Sequence, residues 1–190
     1  MLKGIYFEVA AVCGDRTLSR YKIHEMILST SGAAAGSDGK VALILNPHKL
    51  NKGERVLVKK EDALKIKSLE NPLVDFELEN KSVVEAREDS GCKLYIPCRI
   101  MQDGDMPDVV DITEKNQNPK LKEGCKSTKV KIDLLMKVLK AIKEMSSSET
   151  VDIYLANNLA KDDYNSSLRI EGETSVGPVV GTIMPLWKYK

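Results

Sequence analysis

The chain has 190 residues and a formal net charge of +1, with 42% hydrophobic and 30% charged residues. This composition is typical of a globular protein of one or two domains. No apolar run reaches the roughly 18 residues of a membrane span, and the N-terminus has no secretion signal, so we expect a cytoplasmic protein.

The cysteine and histidine content argues against a metal centre. The cysteines are Cys13, Cys92, Cys98 and Cys125, and no two of them have the CxxC spacing that closes on one metal ion. The two histidines, His24 and His48, are too few and too poorly accompanied to predict a zinc site or a catalytic centre. We therefore expect reduced cysteines, no metal and no cofactor.

The first 50 residues predict part of a repeating unit. The stretch MLKGIYFEVAAVC fits either a helix or a strand. The stretches IHEMILST and AAAGSDGKVALILN follow it and read as strands around Ser-Gly and Ser-Asp-Gly turns. They predict at least half of a βαβββ unit whose helix is not clear.

A complete βαβββ pattern starts at Arg55. VLV predicts a strand and KEDALKIKSL a helix, which Asn71 and Pro72 end. LVDFELE, SVVEARE and CKLYIPCRI then predict three strands separated by turns.

The same order recurs from Lys126. STKVKID predicts a strand, LLMKVLKAIKEM a helix, and VDIYLAN, SSLRIEGE and GPVVGTIMPLW three strands. Each of the two units closes on a strand that contains a proline. The repeat pairs the following residues: Val58 with Val130, Glu61 with Asp133, Leu64 with Met136, Ile66 with Val138, and Pro97 with Pro185.

These patterns predict an α+β fold of repeated βαβββ half-domains, with helices on an antiparallel sheet. The polar segment KNQNPKLKEG, residues 115–124, is the best linker. We predict one domain over residues 1–114, containing two half-units, and a C-terminal half-unit over residues 125–190.

Motifs of enzymes are missing from the sequence. AAAGSDGKV lacks the GxxxxGK[ST] spacing of a phosphate-binding loop and fits a hairpin better. Asp105 and Asp108 have no nearby histidine or cysteine to complete an acid–base pair. We predict a protein without catalytic residues, although an α+β enzyme whose site shows no motif stays a weaker alternative.

Several of these stretches resemble the bacterial DNA polymerase sliding clamp, the beta subunit. SRYKIHEMILSTSGAAAGSDGKVALIL and VLVKKEDALKI are similar to clamp strands and a helix start, LYIPCRIMQDGDMPDV to a domain-closing strand and loop, and VVGTIMPLW to the C-terminal strand. The resemblance covers most of the chain from about Thr17. It implies the repeated DNA-clamp fold, with helices toward DNA and sheets outside. The chain has only about three half-domains, so a ring would need several copies.

A basic helix is the predicted contact with DNA. LLMKVLKAIKEM places apolar residues on one face and lysines at steps of three on the other. Residues 126–145 hold six lysines and two acidic residues, a local charge of +4. The middle unit's strands are acidic, so the charge is segregated. Lysines on such a face are also often merely solvated. The predicted phosphate-contacting residues are Lys126, Lys129, Lys131, Lys137, Lys140 and Lys143.

The resemblance also implies a cleft for partner peptides beside the C-terminal strand. By motif match the cleft residues are Ile183, Met184, Pro185, Leu186 and Trp187. Trp187 departs from the usual clamp ending, and a buried last strand with a packed tryptophan is the alternative.

Two hypotheses of function follow. In the first, the chain is a replication or repair accessory protein that binds polymerases or other clamp-binding proteins, contacts duplex DNA and associates with itself. In the second, it is an adaptor or decoy from a phage or mobile element that keeps the fold and the peptide cleft but forms no ring and binds no DNA.

Overall fold

A computed structural model describes residues 2–15, 23–77, 83–88, 90–105, 130–155 and 167–184. Over these residues the protein has three helical segments of eight residues or more and an antiparallel sheet of eleven strands. The predicted α+β class with helices on an antiparallel sheet is confirmed. The proposed linker over residues 115–124 lies outside the described residues, and the predicted domain division stays a prediction.

The first unit contains a helix at a place where its sequence fits either a helix or a strand. Strand β1 (Leu2–Lys3) leads into a 3₁₀ helix over Gly4–Val12, here called the N-terminal helix, and strands β2 (Glu25–Ser29), β3 (Ala33–Ser37) and β4 (Val41–Leu45) follow. The helix lies between two other helices and buries side chains around its circumference, so its sequence shows no polar stripe. The first unit is therefore a full βαβββ unit.

The second unit follows the predicted order. It consists of β5 (Arg55–Lys59), α1 (Lys60–Lys67), β6 (Leu73–Glu77), β7 (Val83–Arg87) and β8 (Lys93–Ile100). Helix α1 has acidic residues in its first turn and lysines in its last, which complements the helix dipole.

The third unit contains α2 (Ile132–Met145), β9 (Asp152–Leu155), β10 (Leu168–Thr174) and β11 (Gly177–Ile183). The strand predicted for STKVKID is wrong over its described residues, because Val130 and Lys131 form no strand and Ile132 and Asp133 open α2. Residues 127–129 of that stretch lie outside the described residues.

Burial supports the repeat between the second and third units. Ile66 and Val138 are both fully buried, whereas their neighbours Leu64 and Met136 are both exposed. Glu61 and Asp133 both stand in the first turn of their helices. These three helix positions have matching environments, whereas Val58 is buried in β5 and its counterpart Val130 is half-buried and in no strand.

The strands lie in the order β1-β6-β7-β8-β5-β2-β3-β4-β11-β10-β9, and all neighbours are antiparallel.

Pro97 marks the point where β8 changes neighbours. Pro97 pairs with Val83 of β7, whereas the next residue, Cys98, pairs with Val58 of β5. Since proline cannot donate to a ladder, it fits this transfer between two partners. Pro185, its predicted counterpart, lies outside the described residues.

Alternation along the central strands separates two apolar clusters. Met26 and Leu28 face the helices, whereas Ile27 faces a smaller cluster on the opposite side of the sheet. Leu50, in the segment after β4, packs in that second cluster with Met101 at its border. The helices therefore lie on one face of the sheet and the residue 46–54 segment lies on the other.

A buried amide joins the first and third units. Asn46 is 1% exposed, has a φ of 54° and donates to the carbonyl oxygens of Gly32 at 3.0 Å and Val176 at 2.9 Å. Its amide also donates to the Tyr6 hydroxyl at 3.4 Å. One side chain thus connects the β2–β3 turn, the N-terminal helix and the β10–β11 turn.

Candidate nucleic-acid interface and peptide cleft

Three helices form one layer on the sheet. The N-terminal helix contacts α1 on one side and α2 on the other, and it packs over β3 and β4. Their buried side chains share a single core with the helix-facing side of the strands. This layer, here called the helix layer, is the surface on which the sequence places DNA contacts.

Two of the predicted lysines project from α2 into solvent. Lys140 and Lys143 are exposed, and Lys131 is exposed immediately before the helix. Within the described part of the chain, none of these three lysines has an ion pair. They are available to bind an anion, whereas Lys126 and Lys129 lie outside the described residues.

Lys137 has a different environment from the other lysines of α2. Its Nζ lies 2.7 Å from Oδ2 of Asp38 and donates to the carbonyl oxygen of Val12 at 3.1 Å. It therefore joins α2 to the β3–β4 turn and to the end of the N-terminal helix. Its charge is compensated inside the protein, a structural role that its helical spacing did not reveal.

The ion pair with Lys137 affects the pKa of Asp38. Burial by itself raises the pKa of this carboxyl group, but the Lys137 hydrogen bond and the backbone N–H groups of Lys40 and Val41 outweigh burial. The net result is a pKa below the usual aspartate value. The carboxylate is thus held in its charged form at the junction between the first and third units.

The three lysines of α1 are also paired. On α1, Lys60 contacts Asp15 at 3.3 Å, Lys65 contacts Asp62 at 2.7 Å, and Lys67 contacts Glu8 of the N-terminal helix at 2.6 Å. The three helices together carry six lysines and five acidic residues, a net charge of +1. The field of the helix layer is therefore weaker than the +4 counted over residues 126–145.

The exposed stripe of α2 also carries large apolar side chains. Ile132 is 77% exposed and Met136 is 58% exposed. They stand four residues apart and are followed by Lys140 at the same spacing, so all three share one face. The helical spacing could have indicated these residues, because they fall outside the buried stripe of Val138, Ile142 and Met145.

The predicted peptide cleft is only partly described. Ile183 is fully buried in the main core and pairs with Leu168 and Val41, so it belongs to the core rather than to an accessible cleft. Met184 is partly buried, and its N–H donates to the Lys40 carbonyl at 2.8 Å. Pro185, Leu186 and Trp187 lie outside the described residues, so their cleft role stays a prediction.

A salt-bridged cluster holds the segment after β8. Arg99 contacts the buried Glu25 of β2 at 2.9 Å and Asp105 at 2.6 Å. The same Asp105 carboxylate accepts the backbone N–H of Gln102 at 2.9 Å. Asp105 therefore orders the chain as it leaves the sheet, a role that the sequence did not indicate.

The described residues contain no group of three or more His, Cys, Asp or Glu side chains placed to hold a metal ion. None of the helices in the described ranges is long and apolar enough to cross a membrane.

Burial raises the pKa of the Cys13 thiol to about 12, so this cysteine is not a thiolate near neutral pH.

Comparison with solved structures gives the PCNA2–PCNA3 complex from Sulfolobus tokodaii. The identity is 12%, the match covers 96% of this chain and 98% of that chain, and the TM-score is 0.43. The bacterial family predicted from sequence stays a prediction. No family model and no curated protein matches the sequence.

Proposed function

We propose that this chain is a clamp-like accessory protein of DNA replication or repair, which acts by binding and performs no chemistry. The observation that carries the proposal is the arrangement of two βαβββ units and a third unit, which the structure describes as a helix and three strands, with their helices in one layer on a shared sheet. The motifs that resemble sliding clamps fall on these same elements. Such an architecture presents one continuous helical surface to a long polyanion and keeps the sheet outside.

In this proposal Lys140 and Lys143 contact phosphates, together with Lys131. Phosphate contacts hold duplex DNA without reading its sequence, and each contact releases counterions. A few exposed lysines on a nearly neutral layer give weak, salt-sensitive binding. This suits a protein that must move along DNA rather than stay at one site.

Duplex binding over a series of salt concentrations tests this role. The double variant Lys140→Glu/Lys143→Glu should bind more weakly than wild type, and its slope of log affinity against log salt should fall by about two. Lys49→Glu/Lys52→Glu, with the same charge change on the opposite face of the sheet, is the control and should bind like wild type. Equal binding by both double variants would contradict a helix-layer contact.

The near neutrality of the helix layer favours a second candidate, an adaptor that binds proteins but not DNA. Four of its six lysines are paired with acidic side chains. In that case, wild type and both double variants should show no duplex binding even at low salt. Binding of apolar peptides near Met184 would then be insensitive to salt.

A further inference from the structure

Helix α2 has a second apolar stripe besides the one that faces the core. Ile132, Leu135, Met136 and Leu139 recur at the spacing i, i+3, i+4 and i+7, which places them on one side of the helix. Ile132 and Met136 are exposed, whereas Leu135 and Leu139 are half-buried against the main core. These four residues are here called the α2 seam. A stripe with this spacing fits one further helix laid along α2.

The equivalent helix of the second unit shows that the fold does not require this seam. By the repeat, Ile132 corresponds to Lys60 of α1 and Leu139 corresponds to Lys67. Both lysines form ion pairs with acidic residues of the first unit, so α1 completes its charges within the helix layer. The same places in α2 carry apolar side chains instead. Exposed apolar groups that are rimmed by charged residues mark surfaces that bind other proteins.

Lysines without an ion pair stand at both ends of the α2 seam. Lys131 precedes the seam at one end, and Lys140 and Lys143 follow it at the other. In the part of the chain that the structure describes, none of the three contacts a carboxylate. The surface therefore has an apolar centre with positive charge at each end.

The acidic residues of α2 lie on another side of the helix. Asp133 stands four residues before Lys137 and Glu144 stands seven residues after it, so both share the side of Lys137. Lys137 faces the N-terminal helix, because its Nζ donates to the carbonyl oxygen of Val12. The acidic side chains are thus turned toward the rest of the helix layer, whereas the α2 seam lies on the far side.

The α2 seam continues into a groove at the C-terminal end of the helix. The groove has a volume of about 480 Å³ and is lined by Leu139, Ile142 and Val151, together with Lys143. A groove of this size accepts a large apolar side chain, and such an anchor supplies much of the binding energy of a docked helix.

We propose that the α2 seam binds a helix of another protein that has apolar residues in its centre and acidic residues toward both ends. Apolar contacts along the seam supply affinity, and the lysines select an acidic partner. This inference goes beyond the proposed function and does not need DNA binding. Because Lys140 and Lys143 are also the proposed phosphate contacts, such a partner and duplex DNA exclude each other.

The charge pattern argues against two other occupants. A second copy of the α2 seam brings lysine against lysine in either direction, because both ends of the seam are positive. DNA satisfies the lysines but leaves the apolar centre facing phosphates. Only a partner with both features matches the whole surface.

Fluorescence anisotropy with two designed helical peptides tests this inference. Both peptides have leucines at the spacing of the α2 seam, and one has glutamates at its two ends where the other has lysines. Wild type should bind the glutamate peptide at least about tenfold more tightly than the lysine peptide. Lys140→Glu/Lys143→Glu should reverse this preference, since the variant attracts lysine at that end.

A second pair of variants tests the apolar centre. Ile132→Ser/Met136→Ser should weaken binding of the glutamate peptide by about tenfold or more, because it removes apolar surface that the peptide buries. Leu64→Ser is the matched control, since Leu64 corresponds to Met136 in the repeat, and it should bind like wild type. The substituted side chains are exposed, so unchanged thermal unfolding checks that each variant is folded.

Three results would overturn the inference: no binding of either peptide by wild type, equal binding of both, or unchanged binding by Ile132→Ser/Met136→Ser. A lower light-scattering mass of that variant would also overturn it, because a second copy would then cover the seam. Duplex binding by the same proteins separates the two proposals. Selective peptide binding by a protein that binds no duplex would support this inference and contradict the DNA contact.

Discussion

From the helix onward, the second and third units share one order of elements, but they differ in what surrounds them. In the second unit, β1 pairs with β6 and the N-terminal helix packs against α1, so Val74 is fully buried. In the third unit the N-terminal helix packs against α2 on one side, and on the other Ile153 and Met136 are exposed. A repeated sequence pattern thus specifies each unit, whereas its neighbours decide which surface is buried.

Substitutions at the contacts between the third unit and the first unit therefore test this difference better than substitutions inside the third unit. The attachment of the third unit depends on the Asn46 amide, on the Lys137–Asp38 pair and on the pairing of β11 with β4.

Replacing Asn46 should have the largest effect on this attachment. Asn46→Ala leaves buried carbonyl groups of Gly32 and Val176 without a donor and forces alanine into a left-handed conformation. We expect a loss of about 3 kcal/mol in the free energy of unfolding, measured in urea. Asn46→Gly, which relieves the backbone strain, should lose less.

Asn51→Ala is the matched control for this substitution. Asn51 is exposed and only accepts a hydrogen bond from Arg55 at 3.2 Å. Its replacement should change the free energy of unfolding by less than about 0.5 kcal/mol. Equal effects of the two alanine variants would show that the Asn46 contacts do not stabilise the junction.

A smaller effect should distinguish the two lysines that the repeat makes equivalent. Lys137 corresponds to Lys65, but Lys137 reaches Asp38 in another unit, whereas Lys65 contacts Asp62 three residues away on an exposed surface. Lys137→Met should lower the free energy of unfolding by about 1–2 kcal/mol, since it leaves the half-buried Asp38 carboxylate without its cation. Lys65→Met should have no measurable effect.

The Lys137 effect should depend on pH. The pKa of Asp38 is lowered in the folded protein, so its contribution to stability is present above the unfolded pKa of about 4 and is lost as pH falls through the folded value. The difference between wild type and Lys137→Met should be constant near neutral pH and shrink below about pH 4. A difference that persists in acid would show that packing of the lysine stem, rather than the ion pair, stabilises the junction.

The sequence predicted the elements whose patterns are local. The second unit, α2 and strands β9 to β11 follow from apolar periodicity and turn residues, and the pairing of Leu64 with Met136 predicted matching exposure. The N-terminal helix could not be predicted, because a helix buried between two others has no polar stripe to set its period.

The candidate site was harder to predict, because contacts between residues far apart in the sequence determine which of its side chains are accessible. Lys137 and Asp38 are 99 residues apart, and helical spacing alone gave Lys137 the same role as Lys140 and Lys143. The burial of Ile183 likewise depends on β4, which the sequence does not bring beside β11. Such contacts follow from strand order, which sequence patterns did not predict.

The most direct test of the account is the mass of the wild-type protein in solution, measured by light scattering over a range of concentrations. The account predicts one closed oligomer whose stoichiometry stays constant as concentration rises. A monomer at every concentration would contradict a ring of several copies around DNA.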